Sequence, residues 1–294
     1  MAYYESMKRL TLLVGPPGSG KSTLALDYCS KGGVTYINQD LQGKDHLRLF
    51  NLALQEGKDI VVDRLNFSKG QRNRYLDPAK ALGYSTHITV LHESYDTCFK
   101  RCMERKDHLT IQNETDAKSA LHMFFTKYER VTDEEADRVL RCWPEGYKTP
   151  AIWVDADNTL SDASHREHYV QGPKKNWPAF FAGMSEDPVN GWCKKMTVGM
   201  SYCSHILICS GRPEDYREQT EKWLKYHDIP YDQLIMRRTN DSRKDSIVKE
   251  IMLEFEIKTK YNLLFCVDDR KQVIDQIRSH GIVVLDCAGE KGHF

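Results

Sequence analysis

A strand, a glycine-rich turn and a helix follow one another near the N-terminus, and this succession constrains the fold more than any other feature. The segment TLLVGPPGSGKSTLALDY has the spacing GxxxxGK[ST] at Gly15, Gly20, Lys21 and Ser22. Glycines in such a turn let backbone N–H groups wrap phosphate oxygens at a helix N-terminus, where Lys21 reaches the terminal phosphates and Ser22 gives an oxygen to Mg²⁺. The predicted nucleotide-binding set is Gly15, Gly18, Ser19, Gly20, Lys21, Ser22 and Thr23.

Short apolar runs alternate with amphipathic stretches along the whole chain. This alternation is typical of an α/β fold in which helices cover both faces of a parallel sheet. The 294 residues suffice for two domains of about 150 each. A polar segment containing Pro and Gly, from Cys142 to Pro150, follows the helical pattern of TDEEADRVLR. We predict a P-loop kinase-type domain at 1–142, a linker at 143–150 and a second α/β domain at 151–294.

The composition of the chain disfavours several classes of function. The 42 basic and 42 acidic residues cancel, so a nucleic-acid partner would have to be held by a local basic surface. Nine irregularly spaced cysteines without a CxxC pair fit neither a disulfide framework nor a zinc site, and Cys98 and Cys102 are predicted to be packing residues. Because neither a secretory segment nor an apolar run of about 18 residues is found, we expect a soluble, cytoplasmic protein without a membrane partner.

Acidic residues follow two later strands of the first half: Asp40 after VTYINQ and Asp63 after DIVV. Ligands in open α/β sheets lie at the carboxyl ends of strands, and an acceptor hydroxyl needs a carboxylate to take its proton. For Asp63, a strand-end cap or a ligand of Mg²⁺-bound water is an equally good interpretation. Arg101 and Arg105, four apart on a predicted helix, either form a solvated basic face or neutralise transition-state charge.

The segments GPPGSGKST, INQD, DRLNFSKGQRNRY and KRCMER resemble the kinase domains of the phage-type polynucleotide 5′-kinase/3′-phosphatase family and of related RNA-repair proteins. The resemblance implies that Asp40 is the general base for a 5′-hydroxyl and that Arg105 is the lid arginine over the nucleotide. It implies that Asp63 belongs to the acceptor site, while Lys21 and Ser22 hold the donor phosphates and the metal.

The sequence departs from that family three residues after the general base, where the family has an arginine that grips the acceptor phosphate and this chain has Gly43. Other basic residues are therefore expected to bind the acceptor strand. The candidates are Lys44 or Arg48 for the acceptor phosphate, and Lys69, Arg72 and Arg74 for the strand backbone.

The second half opens with AIWVDADNTL, an apolar strand followed by two aspartates spaced one apart. A loop just past a strand can aim both carboxylates at one phosphorus atom. Asp155 could then attack to form an aspartyl-phosphate, while Asp157 protonates the leaving oxygen and later activates water. On its own such a pair is also common in surface loops and metal sites.

Three features at later predicted strand ends strengthen the phosphatase interpretation. HILICSGRPE places Ser210 and Arg212 where they can bind phosphoryl oxygens. RKDSIVKE offers Lys244 or Lys249 to neutralise charge between nucleophile and phosphate. NLLFCVDDR offers two acids that would complete a Mg²⁺ site with the first aspartate, namely Asp268 and Asp269.

These features together resemble the haloacid dehalogenase phosphatase superfamily over residues 151–294, and a P-loop kinase followed by such a phosphatase is the order of the phage-type end-healing family. The implied roles are nucleophile Asp155, acid/base Asp157, phosphate ligands Ser210, Gly211, Arg212 and Arg237, charge-neutralising Lys249, and metal ligands Asp155, Asp157, Asp268 and Asp269. The superfamily's usual glycine after the second aspartate is Asn158 here. Because Asn tolerates the left-handed conformation, we expect the turn to be kept.

About 50 residues lie between Leu160 and Ser210. They are either a substrate-contacting insertion, with Lys174, Lys175 and Trp177 near a nucleic-acid strand, or an ordinary helical connection. For the aromatic residues Trp177 and Phe180 we predict the second alternative, in which both side chains pack in the core.

We therefore predict an end-healing enzyme that transfers the γ-phosphate of ATP, or of another NTP, to 5′-hydroxyl polynucleotide ends. Its second domain removes 3′-phosphate or 2′,3′-cyclic phosphate ends through an aspartyl-phosphate. Mg²⁺ is expected in both domains. The expected partners are RNA or DNA ends and, functionally, a polynucleotide ligase, in the cytosol of a bacterial host if the chain is phage-encoded. The resemblance also implies a homo-oligomer.

Two other functions are open on the sequence alone. The neutral net charge slightly favours a nucleoside or small-molecule kinase fused to a nucleotidase, but the lack of an evident nucleobase-pocket motif and the resemblance over the whole chain disfavour it. A nucleotide-controlled binding protein with relic sites is disfavoured, because a relic has no need to keep Lys21, Asp40, Asp155 and Asp157.

Overall fold

The computed structural model describes residues 8–30, 32–105 and 109–288, and the chain divides between Glu145 and Gly146 into two compact units. The division falls inside the predicted 143–150 linker. The first strand of the second unit begins at Thr149, ahead of the predicted domain start at 151. Each unit contains one parallel sheet with helices, which is the predicted α/β class.

The first unit carries the glycine-rich turn. Its strands are β1 (Arg9–Val14), β2 (Val34–Asn38), β3 (Asp59–Asp63), β4 (Ser85–Leu91) and β5 (Arg138–Cys142). Its helices are α1 (Lys21–Ser30), α2 (Gln39–Gln42), α3 (His46–Gln55), α4 (Lys69–Ala81), α5 (Tyr95–Glu104) and α6 (Glu114–Lys127). The strands lie in the order β2-β3-β1-β4-β5, all parallel. In the central strand β1 every residue after Arg9 is buried and all but Thr11 are apolar, as expected for a strand that is covered on both faces.

Strand β5 corrects one prediction. The segment TDEEADRVLR, expected to be helical, forms a 3₁₀ turn at Asp133–Glu135 followed by β5. β5 lies at the edge of the sheet and pairs with β4, with His87 opposite Arg138. Its side chains alternate only between exposed and half-buried. Pairing with β4, rather than an apolar period, decides its conformation.

Arg72 corrects a second prediction, because it belongs to the core and not to a basic surface. Its side chain on α4 is completely buried and forms two hydrogen bonds with the carboxylate of Glu135, from Nε to Oε2 at 2.6 Å and from Nη2 to Oε1 at 2.9 Å. Nη1 donates to the backbone carbonyls of Asn66, Phe67 and Glu129. The guanidinium therefore ties α4 to the 3₁₀ turn before β5, while Arg74 stays exposed.

The second unit has its own five-stranded parallel sheet. Its strands are β6 (Thr149–Val154), β7 (His205–Pro213), β8 (Gln233–Arg237), β9 (Tyr261–Asp268) and β10 (Val284–Asp286), in the order β10-β9-β6-β7-β8. Its helices are α7 (Trp177–Ala182), α8 (Gly191–Met200), α9 (Arg217–Tyr226), α10 (Asp245–Ile251) and α11 (Lys271–Ser279), and a π-helical stretch, Met252–Ile257, continues α10. Among the helices of the described ranges, none combines the length and the apolar composition that crossing a bilayer requires.

Helices cover both faces of this second sheet. Trp153 of β6 packs on one face with Leu253 and Ile277, and Ile152 packs on the other with Trp223. The apolar run AIWV is therefore buried throughout, and the chain leaves the sheet at Asp155, at the carboxyl edge.

The Arg72 ion pair gives a prediction about stability. Removing one partner of a buried pair leaves the other charge without compensation, so Arg72→Ala should lower the free energy of unfolding by about 3–5 kcal/mol. Arg74→Ala, two residues away on the exposed side of α4, should change it by no more than about 0.5 kcal/mol. Urea denaturation of the whole chain measures both. Equal effects of the two variants would contradict the assignment of Arg72 to the core.

Candidate active sites

The glycine-rich turn forms a tight phosphate-binding loop between β1 and α1. Gly18 has a φ of +82°, and a Cβ there would lie 2.6 Å from the carbonyl oxygen of Cys98, so only glycine fits. The Lys21 ammonium donates to the carbonyl oxygen of Pro16 at 2.7 Å. Burial lowers the pKa of Lys21, and the nearby carboxylate of Asp63 partly opposes that effect. The lysine thus lies folded over its own loop, within reach of phosphate oxygens bound there.

Asp63 lies at the end of β3, directly opposite Asn38 at the end of β2. Its carboxylate accepts hydrogen bonds from the Tyr36 hydroxyl at 2.8 Å and from Asn38 Nδ2 at 2.9 Å. Burial and the Asp63 charge raise the pKa of Tyr36, and Ser22 also contacts the Tyr36 hydroxyl. This network places the negative charge of Asp63 beside Lys21 and the hydroxyl of Ser22. The Asp63 carboxylate and the Ser22 hydroxyl can therefore both offer oxygen atoms to a metal–phosphate complex.

A cavity of about 380 Å³ adjoins this loop. The predicted residues that line it are Gly18, Gly20, Lys21, Ser22, Asp40, Asp63 and Arg105. The predicted loop residues Gly15, Ser19 and Thr23 do not line it. Nor do the acceptor candidates Lys44, Arg48, Lys69 and Arg74, all of which are exposed. Arg64 and Gln71, which sequence reasoning missed, do line it. The periodicity of apolar residues does not indicate a functional role for either residue. The only sequence signal for Arg64 is its position directly after Asp63, at the end of a strand.

Asp40 lies on the short helix α2, and its carboxylate accepts a hydrogen bond from Thr110 Oγ1 at 3.3 Å. Arg105 is not on the helix face predicted for it. It is the C-cap of α5, in an extended conformation, and lines the cavity. Arg101 pairs with Glu93 at 3.0 Å and donates to the Gly18 carbonyl at 3.3 Å, so it buttresses the loop. Cys98 and Cys102 are buried on α5 beneath it, as predicted.

Lys249 is the centre of the second site. Its ammonium donates to Asp155 Oδ1 at 2.6 Å and to Asp268 Oδ2 at 2.7 Å, and lies 3.4 Å from Asp245 Oδ2. Lys249 lies on α10, not at the strand end predicted for it, and Lys244 caps that helix at an exposed position. Burial alone would lower the pKa of Lys249, but Asp155, Asp245 and Asp268 outweigh it, and the pKa is well above its usual value.

Three carboxylates form a potential metal site beside Lys249. One oxygen from each of Asp155, Asp268 and Asp269 lies within 4.8 Å of the others, and all three side chains are buried. Burial raises the pKa of both Asp155 and Asp269 to about 7. A set of hard oxygen donors with excess negative charge suits Mg²⁺, which would favour the charged forms. Asp157, also predicted as a metal ligand, is outside this group.

Asp157 is held instead by two arginines. Arg212 donates to it from Nη2 at 2.6 Å and from Nε at 3.0 Å, and Arg166 Nη2 also donates to it. Burial would raise the pKa of Asp157, but Arg212 and Arg166 outweigh it and lower the pKa. Buried Asp187 accepts from both arginines, and from Arg166 Nε at 2.7 Å. Arg166 and Asp187 were missed because only the fold brings them together.

Ser210 and Arg212 lie within β7 and not after it, because that strand continues to Pro213 with a register shift. Gly211 between them lies against Asp245, since a Cβ on Gly211 would be 2.3 Å from its Oδ1. Asp245 also accepts from Arg237 Nη2 at 3.0 Å and pairs with Arg270 at 3.3 Å. Asp245 and Arg270, absent from the predicted set, thus connect β7 to the lysine helix.

A cavity of about 490 Å³ opens onto this site. The predicted residues lining it are Asp155, Asp157, Gly211 and Arg237, whereas Ser210, Arg212, Lys249, Asp268 and Asp269 are buried and do not line it. Asn158 has a φ of 62°, so the left-handed turn is kept as expected.

The prediction for the aromatics is half wrong: Phe180 is buried, but Trp177 is 37% exposed and lines the cavity.

Two family models match the chain. Residues 149–294 match the "Polynucleotide kinase PNKP phosphatase domain" and residues 10–128 match an "AAA domain". The "Putative bifunctional polynucleotide kinase/RNA ligase" of Autographa californica nuclear polyhedrosis virus is 26% identical over 305 residues, which cover 92% of this chain and 41% of that protein. The "Putative bifunctional polynucleotide phosphatase/kinase" of Acanthamoeba polyphaga mimivirus is 32% identical over 96 residues, 32% of this chain and 23% of that protein.

A chain in the solved "Structure of the Pnkp1/Rnl/Hen1 RNA repair complex" aligns with 97% of this chain and 98% of its own length, at 22% identity and a TM-score of 0.43. The chain described here spans less than half the length of the two viral relatives.

The carboxylate group of the second unit gives a prediction about metal binding. Asp269→Asn removes one of three charged oxygen donors and should weaken Mg²⁺ binding at least about tenfold, a difference of ~1.4 kcal/mol. Asp275→Asn, at an exposed position on α11, makes the same chemical change away from the site and should leave the affinity unchanged. Isothermal titration with Mg²⁺ measures both, and equal affinities would contradict the proposed metal site.

Proposed function

We propose a function from one premise, which is that residues 149–294 belong to the family of the polynucleotide kinase PNKP phosphatase domain. The chain heals polynucleotide ends: its first unit phosphorylates 5′-hydroxyl ends, and its second removes 3′-phosphate or 2′,3′-cyclic phosphate. One observation carries the proposal: the Asp155–Lys249–Asp268 cluster opens onto a cavity, in a chain that also has the Lys21 loop.

In the first unit, the loop and Lys21 hold the phosphates of ATP or another NTP, and Ser22 contributes a ligand for Mg²⁺. Asp40, across the same cavity, takes the proton of the acceptor 5′-hydroxyl as its oxygen attacks the γ-phosphorus. Arg105, at the rim, neutralises charge on the transferred group. Asp63 keeps the strand-end network fixed around the acceptor side.

In the second unit, an oxygen of Asp155 attacks phosphorus, and the bond from phosphorus to the 3′-oxygen breaks with the electron pair leaving on that oxygen. Lys249 neutralises charge between nucleophile and phosphate. Asp155, Asp268 and Asp269 would hold a Mg²⁺ ion, which would supply further positive charge at that place. Arg166 and Arg212 keep Asp157 ionised in the free protein, so Asp157 takes a proton from solvent and gives it to the leaving 3′-oxygen. It then takes a proton from a water molecule whose oxygen attacks phosphorus, and this attack breaks the bond to Asp155 and releases inorganic phosphate.

The products define the partner reaction. A 5′-phosphate and a 3′-hydroxyl are the two ends that a polynucleotide ligase joins, so we place a ligase downstream of this enzyme. The relative whose printed name pairs polynucleotide kinase with RNA ligase supports that link. The substrate ends in this proposal are RNA or DNA, and a homo-oligomer remains part of it.

Single substitutions should separate the two activities. Asp155→Asn should lower 3′-phosphatase activity by several powers of ten, each worth ~1.4 kcal/mol, and leave 5′-kinase activity intact. Lys21→Ala should do the reverse. The assay uses end-labelled RNA and DNA oligonucleotides that carry a 5′-hydroxyl and a 3′-phosphate, with a free nucleoside and a 3′-nucleotide as competing substrates.

Matched control variants are Asp275→Asn on α11 and Lys100→Ala on α5, both at exposed positions. Each should keep both activities. Phosphatase activity that survives Asp155→Asn, or kinase activity that survives Lys21→Ala, would show the site assignment to be wrong. Preference for the free nucleoside over the oligonucleotide would favour the small-molecule kinase instead.

Arg64 is the residue that we propose for the acceptor strand, in place of Lys44 and Arg74. It lines the same cavity as Asp40 and Lys21, and its Nη1 is buried without a hydrogen-bond partner in the described part of the chain. A guanidinium beside the general base can bind a phosphate of the acceptor. Arg64 would thus bind the acceptor phosphate, for which the family has an arginine at the position of Gly43.

Arg64→Ala should lower kcat/KM of the kinase for a 5′-hydroxyl oligonucleotide by about 10- to 150-fold, because a hydrogen bond to a charged group contributes about 1.5–3 kcal/mol. The KM for ATP should stay unchanged. Arg74→Ala removes an exposed arginine outside the cavity and should behave as wild type. A larger loss of kcat/KM with Arg74→Ala than with Arg64→Ala would indicate that the acceptor strand binds at the surface of α4.

A further inference from the structure

The cavity of the second unit combines three kinds of wall. Asp155 and Asp157 lie at its reactive end, and an arginine, Arg237, lines another side. Further charged and polar residues, among them Arg238, Arg243 and Arg270, continue that side, and the third wall is aromatic and consists of Trp177, Phe180 and Phe181 of α7. A group that reacts at Asp155 and also fills this cavity therefore needs a phosphate joined to a flat, largely apolar part.

Trp177 forms the exposed surface of the aromatic wall. It is the first residue of α7, which Asn176 caps through a hydrogen bond from the Ala179 backbone N–H at 3.1 Å. Its indole ring stacks on Phe181 at 5.7 Å between centroids and meets the edge of Phe180 at 5.7 Å. Both phenylalanines are buried. The indole is thus fixed from behind while 37% of the residue is exposed.

The aromatic wall is connected to the acid/base residue through Arg166. The guanidinium of Arg166 lies 4.1 Å over the ring of Phe180 and donates to the Phe180 carbonyl at 3.1 Å. The same guanidinium hydrogen-bonds Asp157. Because Arg166 is fully buried, the position of the indole relative to Asp157 is set by packing and not by a loose surface segment.

Lys175 marks the open side of the indole. Its ammonium lies 5.5 Å from the centroid of the Trp177 ring, and Lys175 is exposed. A long exposed side chain can move aside when a planar group arrives and can then pair with a phosphodiester of the same strand. Lys174 beside it adds a second exposed positive charge, although the chain as a whole is neutral.

We propose that Trp177 is a stacking platform for the base of the nucleotide that carries the 3′-phosphate. The inference rests on the proposed phosphatase function, since it places that phosphate at Asp155. Every nucleobase offers a π-face to an aromatic side chain, so the platform accepts all four bases and distinguishes a nucleotide end from an end that lacks a base.

The test compares two oligonucleotides with a 3′-phosphate, one with an ordinary terminal nucleotide and one whose terminal sugar lacks its base. Trp177→Ala should lower kcat/KM for the base-bearing end by about 5- to 150-fold and leave the abasic end unchanged. Trp177→Phe should retain most of the activity, which shows that an aromatic face suffices. Trp192→Ala, on α8 and outside the cavity wall, is the matched control and should change neither rate.

Binding to the Asp155→Asn variant provides a second readout that needs no turnover. In that background the base-bearing oligonucleotide should bind more tightly than the abasic one, and Trp177→Ala should remove the difference. Equal losses on both substrates, or no loss with Trp177→Ala, would overturn the platform. An absence of 3′-phosphatase activity in the wild-type chain would instead contradict the proposed function, and the binding comparison would still decide on Trp177.

Discussion

The second site depends on the buried ammonium of Lys249. It contacts Asp155, Asp268 and Asp245, which the fold gathers from the end of β6, from β9 and from α10. Without that ammonium, the carboxylates would repel one another in a region where water cannot screen them, and their close approach would oppose folding. The same charge can later balance a phosphate. A group that stabilises the free protein thus also holds Asp155 in the position that we propose for attack on phosphorus.

In the first unit the buried carboxylate accepts hydrogen bonds from neutral side chains, and the Lys21 ammonium lies near it. The glycine-rich loop offers N–H groups at the start of α1, and the only carboxylate at the ends of β2 and β3 that is buried among the described residues, Asp63, is satisfied by Tyr36 and Asn38. Phosphate sites of both kinds lie at the carboxyl edge of a parallel sheet, because that edge is where helix N-termini and strand-end side chains meet. The two folds therefore converge on one location by different donors.

The sequence was sufficient for the features that depend on local order. The apolar strands, the glycine loop and the aspartates after β6 and β9 are all adjacent to their structural cause in the chain. It was insufficient where the contact joins residues that are distant in the sequence. Arg72 looks like a surface arginine in the sequence, because its burial depends on the ion pair with Glu135. No residue near Arg166 in the sequence indicates its contact with Asp187. Strand β5 has a charged, weakly alternating sequence, and only the neighbouring strand determines its conformation.

Each sheet takes all of its described strands from one continuous half of the chain, β1 to β5 before the division at Glu145 and β6 to β10 after it. Parallel sheets form slowly, because each pairing waits for a crossover to close. During synthesis the first half leaves the ribosome before the second, and domains generally fold as units from the N-terminus, so the first sheet can begin to pair while the second half is still being made. Because neither sheet needs a strand from the other half, the risk of misassembly between two sheets of the same kind is lower.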